Sequence, residues 1–200
     1  MKNIPLNNFL TIDYQGDDVL SVLDESYHEN FGYQWNKFSK LQLDSFNGSS
    51  ESRDRLLDQS ELSPKDFKGK VVLEVGAGNG RFTEILLNLG ARVIAVDYST
   101  AIYANHMNNI SSIRMKDLLC IRGDVFDLPI KKDSFDLVIC YGVVQHTGDN
   151  EKCLDILAQY VHEKGSLLVD IYSNSLKDYN PWIYLNRPFF SKIKSDEKRM

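Results

Sequence analysis

A short run rich in glycine has the residue types and the setting of a ligand-binding turn. It follows an apolar stretch that predicts a strand over residues 70–75, and it precedes an amphipathic stretch that predicts a helix ending at Gly90. Glycine permits unusual backbone angles and lets a ligand approach the main chain without meeting a Cβ atom. The helix beyond the turn begins with unpaired N–H groups. These properties predict close contact between a ligand and the turn, which consists of Gly76, Ala77, Gly78, Asn79 and Gly80.

A carboxylate follows the next predicted strand. Asp97 ends the apolar stretch at 92–97, about 20 residues beyond the glycine run. Two acceptor oxygens suit the vicinal diol of a ribose, so Asp97 alone fits a dinucleotide or another nucleoside cofactor. A dinucleotide turn has the pattern Gly-x-Gly-x-x-Gly, whereas the third glycine comes one residue early here, at Gly80, and Arg81 occupies the required position. This spacing is unfavourable for a nicotinamide dinucleotide.

Residues from about 69 to 172 resemble a class I S-adenosylmethionine-dependent methyltransferase of the small-molecule type. The resemblance rests on the glycine run preceded by an acidic residue, on Asp127-Leu-Pro129, and on the Ser-Phe-Asp sequence at 134–136. It implies S-adenosylmethionine as the cofactor, with Asp97 on the ribose hydroxyls and Asp124 accepting a hydrogen bond from the adenine amino group. The cofactor-binding residues implied in this way are Glu74, Gly76, Ala77, Gly78, Asn79, Gly80, Asp97, Tyr98, Asp124, Val125 and Tyr141.

The segment after the fourth predicted strand should line the reacting methyl group, because ligands of open α/β sheets bind outside the carboxyl ends of the strands. His146 is the candidate catalytic base, since imidazole can accept a proton near neutral pH; the alternative is that it caps or orients the loop. Gln145 is a candidate contact to the acceptor. No histidine pair has metal-ligand spacing, so we expect no metal.

The first 68 residues differ from the alternating pattern that follows. They predict a helical cap with an aromatic cluster, Phe31 to Trp35 and Phe38, which either packs against the sheet or also forms a lid over the cofactor. Gln34, Trp35 and Arg53 are candidate contacts to the acceptor or to the methionine end of the cofactor. The cluster resembles a head segment of bacterial methyltransferases associated with glycan and polysaccharide assembly.

The pattern of short β-branched runs and helices predicts an α/β fold, a Rossmann-like three-layer sandwich with a mostly parallel sheet. Residues 1–68 should form the N-terminal helical cap, 69–175 the cofactor-binding core, and 176–200 an aromatic C-terminal extension. The residues after Tyr172 show no hairpin, so the usual final antiparallel hairpin is expected to be missing, through truncation or a different domain end. Strands are expected at 70–75, 92–97, 118–123, 135–141 and 166–172, with Gly165 closing the helix before the last one.

Composition narrows the function classes further. A net charge of −5 and a pI near 5.4 argue against a nucleic-acid partner. No apolar run approaches the roughly 20 residues of a membrane span, and the N-terminus has no signal-peptide pattern, so we expect a cytoplasmic protein. The three cysteines should be buried thiols. The sequence leaves the oligomeric state open.

These observations predict in-line methyl transfer from S-adenosylmethionine to a small-molecule acceptor, such as a sugar, a lipid or another metabolite. The main alternative is a non-catalytic module that binds the same cofactor in a regulatory role. A nicotinamide-dependent oxidoreductase is the weaker alternative, because the third glycine comes early.

Overall fold

One parallel β-sheet organises the part of the chain that the computed structural model describes, residues 5–23 and 40–171. Within these ranges the strand order is β1-β4-β3-β2-β5-β6, and each neighbouring pair is parallel. The winding reverses at β2, which has β3 on one side and β5 on the other, and such a reversal opens a crevice at the carboxyl ends of the strands. The strands are β1 Leu20–Ser21, β2 Val71–Val75, β3 Arg92–Asp97, β4 Leu118–Arg122, β5 Phe135–Cys140 and β6 Val161–Val169.

Helices cover both faces of this sheet, which confirms the predicted Rossmann-like α/β sandwich. Side chains alternate between the faces along each strand, so Val72 belongs to the core under α2 to α5, whereas Leu73 belongs to the core under α6 and the N-terminal 3₁₀ turn. The predicted apolar face of α3 is buried through Phe82, Ile85 and Leu86. The helices are α1 Asp44–Asn47, α2 Glu51–Ser60, α3 Arg81–Asn88, α4 Ala101–Asn108, α5 Ile110–Arg114 and α6 Asn150–Tyr160, and the 3₁₀ turns are Leu6–Phe9, Pro64–Phe67, Val125–Asp127 and Val144–His146.

The N-terminal segment contributes to the sheet as well as to the helical layer. Leu20 and Ser21 form β1 and pair with the end of β4, and Leu6 and Leu10 are buried in the sheet's core. This edge strand could not be predicted from the sequence, because two residues are too few to show an alternating pattern. The helical character predicted before residue 69 is present in α1 and α2.

The end of the last helix was predicted wrongly. Helix α6 ends at Tyr160, and Gly165 lies inside β6 instead of closing the helix. A Cβ atom on Gly165 would stand 2.7 Å from the carbonyl oxygen of Phe135, at the place where the register between β5 and β6 is irregular. Glycine is needed there because two backbones approach closely.

Several predictions fall outside the described residues. These concern the aromatic cluster with Gln34 and Trp35, the extension 176–200, and the absence of a final hairpin. No helix within 5–23 and 40–171 is long and apolar enough to cross a bilayer. Cys120, Cys140 and Cys153 are free and buried, as predicted.

Candidate cofactor site at the carboxyl edge of the sheet

The glycine turn between β2 and α3 combines a tight contact with an open space. Gly76 has a φ of 78°, and a Cβ atom on it would stand 2.0 Å from Cγ2 of Val143, which follows β5. Gly78 has a φ of 52°, and nothing lies within 4 Å of the place where its Cβ would be. Gly76 is therefore needed for packing, whereas Gly78 leaves its main chain accessible to a ligand.

Asp97, at the end of β3, is tied to this turn. Its Oδ2 accepts a hydrogen bond from the Gly78 amide at 2.7 Å, and its Oδ1 accepts from the Ser99 amide at 2.8 Å and hydroxyl at 2.6 Å. Burial raises the pKa of Asp97 although these hydrogen bonds oppose the shift. A carboxylate oxygen can accept more than one hydrogen bond, so Oδ2 keeps the capacity to bind a ligand hydroxyl beside Gly78.

Glu74, one strand away, lies beneath the turn. It is 4% exposed, and its Oε2 accepts a hydrogen bond of 2.6 Å from the Thr83 hydroxyl, which accepts one of 2.8 Å from the Asn105 amide. Burial raises the pKa of Glu74 to about 8; the Thr83 hydrogen bond opposes this rise and the charge of Asp97 adds to it. Since Asn105 also fills the space beside Gly80, this network supports the turn from the interior.

The predicted adenine-side residues lie at the same edge. The Gly123 amide donates to the carbonyl oxygen of Asp97 at 3.0 Å, which places the loop after β4 next to the end of β3. In this loop Asp124 accepts a hydrogen bond of 2.9 Å from the Phe126 amide, and Val125 is buried. Tyr98 presents 38% of its surface to solvent.

The segment after β5 brings polar atoms to this edge. The hydroxyl of Tyr141 and both side-chain amide atoms of Gln145 are buried without a hydrogen-bond partner among the described residues. Burial raises the pKa of Tyr141 to about 12, while Arg55 lowers it and Asp170 raises it. Unpaired buried polar atoms are costly, so they indicate a place for a polar ligand. His146 ends the following 3₁₀ turn and is exposed.

Arg55 and Asp170 lie at this edge but were not predicted as site residues from the sequence. Arg53, the predicted contact, is exposed and pairs with Asp54 at 3.6 Å. Arg55, two residues along the same helix, instead forms an ion pair with Asp170 at the end of β6. Their separation in the chain hid this pair, and a helix rich in charged residues carries no local signal for which arginine turns inward.

The chain is similar in sequence to known methyltransferases. Residues 73–169 match the sequence profile of a family described as "Methyltransferase domain". The chain is 27% identical over 126 residues to demethylmenaquinone methyltransferase of Thermobifida fusca, covering 62% of this chain and 53% of that protein. It is 25% identical over 189 residues to phosphoethanolamine N-methyltransferase of Triticum aestivum, covering 88% of this chain and 37% of that protein.

A solved structure shows the same fold. The protein is from Methanococcus maripaludis and is assigned to the S-adenosyl-L-methionine-dependent methyltransferases; it is 16% identical, with a TM-score of 0.56 over 88% of this chain and 83% of that one. In length, the match covers 53% of the demethylmenaquinone methyltransferase and 37% of the phosphoethanolamine N-methyltransferase, so the chain spans about half or less of these two curated relatives. Residues 73–169 of this chain thus match the methyltransferase-domain family, and the described part of the chain has the fold of a solved methyltransferase structure.

Proposed function

We propose that this chain binds S-adenosylmethionine at the carboxyl edge of the sheet and transfers its methyl group to a small-molecule acceptor. The observation that carries the proposal is the Asp97 carboxylate held against the open main chain of Gly78, with a hydrogen bond of 2.7 Å between them. A ribose diol beside this carboxylate would lie where the turn leaves room for it. When bound, the cofactor supplies a methyl group on a sulfonium, which is a good leaving group.

The residues of this edge fit such a cofactor. Asp97 offers acceptor oxygens for the ribose hydroxyls, and Asp124 offers one for an exocyclic amino group, next to the Val125 amide. Gly78 provides space along the main chain. The unpaired polar atoms of Tyr141 and Gln145 suit the polar methionine end of the cofactor or the acceptor. Glu74 is enclosed by Thr83 and acts from beneath the turn, so we assign it to support of the turn.

The protein's main catalytic contribution would be orientation. Methyl transfer requires nucleophile, methyl carbon and sulfur in one line, and fixed orientation can supply on the order of 7–11 kcal/mol of the barrier. His146 stands at the same edge, at the end of the 3₁₀ turn after β5. We propose that it accepts the acceptor's proton where the acceptor carries one, and that otherwise it orients this turn.

For the acceptor we propose a small metabolite, such as a sugar or a lipid. Two of the curated relatives are named for demethylmenaquinone and for phosphoethanolamine, which are small molecules of different chemistry. The net charge of −5 also disfavours a nucleic-acid acceptor. The sugar alternative depends on the resemblance of the N-terminal aromatic cluster.

Binding experiments separate this proposal from its alternatives. We expect calorimetric titration to give micromolar Kd values for S-adenosylmethionine and S-adenosylhomocysteine, and no binding of NADH. Asp97→Ala should weaken both by about 10-fold to 100-fold, because a hydrogen bond to a charged group is worth about 1.5–3 kcal/mol. Asp155→Ala, on the exposed side of α6, is the matched control and should bind like the wild type.

A transfer experiment then separates the enzyme from a regulatory module. The chain is incubated with methyl-labelled cofactor and a deproteinised metabolite extract, and label should appear in the small-molecule fraction. Cofactor binding without label transfer would favour the non-catalytic module. Binding of NADH alone would favour the oxidoreductase and refute the proposal.

A further inference from the structure

Arg55 joins three separate elements at the carboxyl edge. It belongs to α2, and its guanidinium forms the ion pair with Asp170 beyond β6. The same group lies 4.9 Å from the ring centre of Tyr141 after β5 and 5.7 Å from that of Phe82 in α3. The two rings also contact each other, with centres 4.9 Å apart. One planar cation thus holds the ends of two strands and the start of a helix together.

The contacts continue from Asp170 to the glycine turn. The Oδ2 of Asp170 meets Arg55, while its Oδ1 accepts a hydrogen bond from the Gly142 amide. The next residue, Val143, is the one that packs directly on Gly76. A continuous path of contacts therefore leads from the helix before the methyltransferase domain to the turn at which we place the cofactor.

We propose that Arg55 is a positioning residue for cofactor binding. By holding Asp170 against the Gly142 amide, it keeps the segment after β5 closed against the glycine turn. It also fixes the Tyr141 ring beside this segment. The inference rests on the proposed function, and it assigns α2, which lies outside residues 73–169, a part in completing the site.

Variants of two residues in α2 test this inference. We expect Arg55→Ala to weaken S-adenosylhomocysteine binding about tenfold, which is about 1.4 kcal/mol. Arg55→Lys keeps the charge but loses the planar group that stacks on the rings, so it should recover part of this loss. Asp58→Ala is the matched control, because Asp58 lies on the exposed side of the same helix, and it should bind within twofold of wild type.

Hydrogen exchange of the ligand-free chain distinguishes positioning from general destabilisation. Arg55→Ala should speed amide exchange in a peptide covering 141–146 and leave a β4 peptide, 118–122, unchanged. Asp170→Asn should have the same local effect. The variant that combines Arg55→Ala with Asp170→Asn should bind S-adenosylhomocysteine no more weakly than the single variant with the lower affinity, since both residues act through one contact.

Three results would overturn the inference. The first is an Arg55→Ala variant that binds within twofold of wild type. The second is faster exchange over the whole sheet, and the third is strictly additive effects of Arg55→Ala and Asp170→Asn. If Arg55→Ala does not fold, Arg55→Lys and Asp170→Asn carry the same test. A wild-type chain that fails to bind S-adenosylhomocysteine refutes the proposed function itself, whereas the exchange data still report whether Arg55 holds the segment.

Discussion

The pKa of Asp136, at the amino end of the β-sheet, is shifted in the opposite direction from the pKa values of Glu74 and Asp97 at the carboxyl end. At the amino end, Asp136 accepts hydrogen bonds from the Val71 amide at 2.8 Å and from His162 Nε2 at 3.1 Å. His162 Nδ1 accepts from the Lys164 amide, so Nε2 carries the hydrogen. Burial alone would raise the pKa of Asp136, but these hydrogen bonds outweigh it and the pKa is lowered.

At the carboxyl end the balance is reversed. Burial outweighs the hydrogen bonds of Glu74 and Asp97, and the pKa of each is raised. Polar atoms of Tyr141 and Gln145 lack partners within the described chain. The hydrogen bonds of Asp136 at the amino end therefore stabilise the fold. At the carboxyl end, buried carboxylates with raised pKa values and unpaired polar atoms are unfavourable for stability, which is typical of a binding site.

The largest effect is expected at Gly76. An alanine there would occupy a left-handed conformation, which costs about 1–2 kcal/mol, and would overlap Val143, which costs about 1–3 kcal/mol more. Gly76→Ala should therefore lower the free energy of unfolding by about 2–5 kcal/mol in urea titrations.

Gly78→Ala is the matched variant, because its Cβ would meet no atom. Only the backbone strain of about 1–2 kcal/mol should appear in stability. Affinity for S-adenosylhomocysteine should nevertheless fall, since the new methyl group fills the space left for the ligand. Equal losses of stability in the two variants would contradict our distinction between packing and binding glycines.

Glu74 should make stability fall as pH rises. Between about pH 4.3, where an unfolded glutamate titrates, and its folded pKa of about 8, the folded chain holds a proton that the unfolded chain has released. The free energy of unfolding then falls by up to about 1.4 kcal/mol per pH unit, or about 4 kcal/mol between pH 4.3 and pH 7. Glu74→Gln should remove this slope in urea unfolding between pH 5 and 8. An unchanged slope would show that another group causes it.

Asp136 should show the opposite pH dependence at the amino end. Its lowered pKa means that its contribution is present above about pH 3.9, where an unfolded aspartate titrates, and is lost as pH falls through the folded value. Asp136→Ala should cost about 2 kcal/mol at neutral pH, because the Val71 amide loses its acceptor. The difference from wild type should shrink below pH 4, and cofactor affinity should not change. A weaker affinity for the cofactor in this variant would contradict our assignment of Asp136 to stability alone.

The smallest effect on stability is expected for Tyr141→Phe. Removing a buried hydroxyl without a described partner should leave stability unchanged or raise it by about 1 kcal/mol in thermal unfolding of the ligand-free chain. If the ligand uses this hydroxyl, affinity falls in the same variant. A clear loss of stability would mean that the hydroxyl has a partner in the ligand-free chain.

Elements that depend on residues adjacent in the chain were predicted correctly from the sequence. Strands β2 to β5 show in their apolar runs, and the turn between β2 and α3 shows in its glycines, because each needs residues that are adjacent in the chain. The carboxyl-edge position of Asp97 followed from strand direction alone.

Features that depend on contacts between distant residues were not predictable. Strand β1 has two residues and exists because it pairs with Ile121 and Arg122 of β4. Gly165 reads as a helix stop, yet it serves the close approach of β6 to Phe135. The ion pair of Arg55 with Asp170 joins residues 115 positions apart, and charged residues in an exposed-looking helix give no sign of it.

The most direct test is an amide chemical-shift map of the isotope-labelled chain titrated with S-adenosylhomocysteine. We expect saturable shifts at the carboxyl edge, in the amides of Gly78, Ser99 and Gly142. We expect none at the amino end, in the amides of Val71 and His162. Saturable shifts centred on the amino end, or no shifts at millimolar ligand, would contradict the placement of the cofactor site.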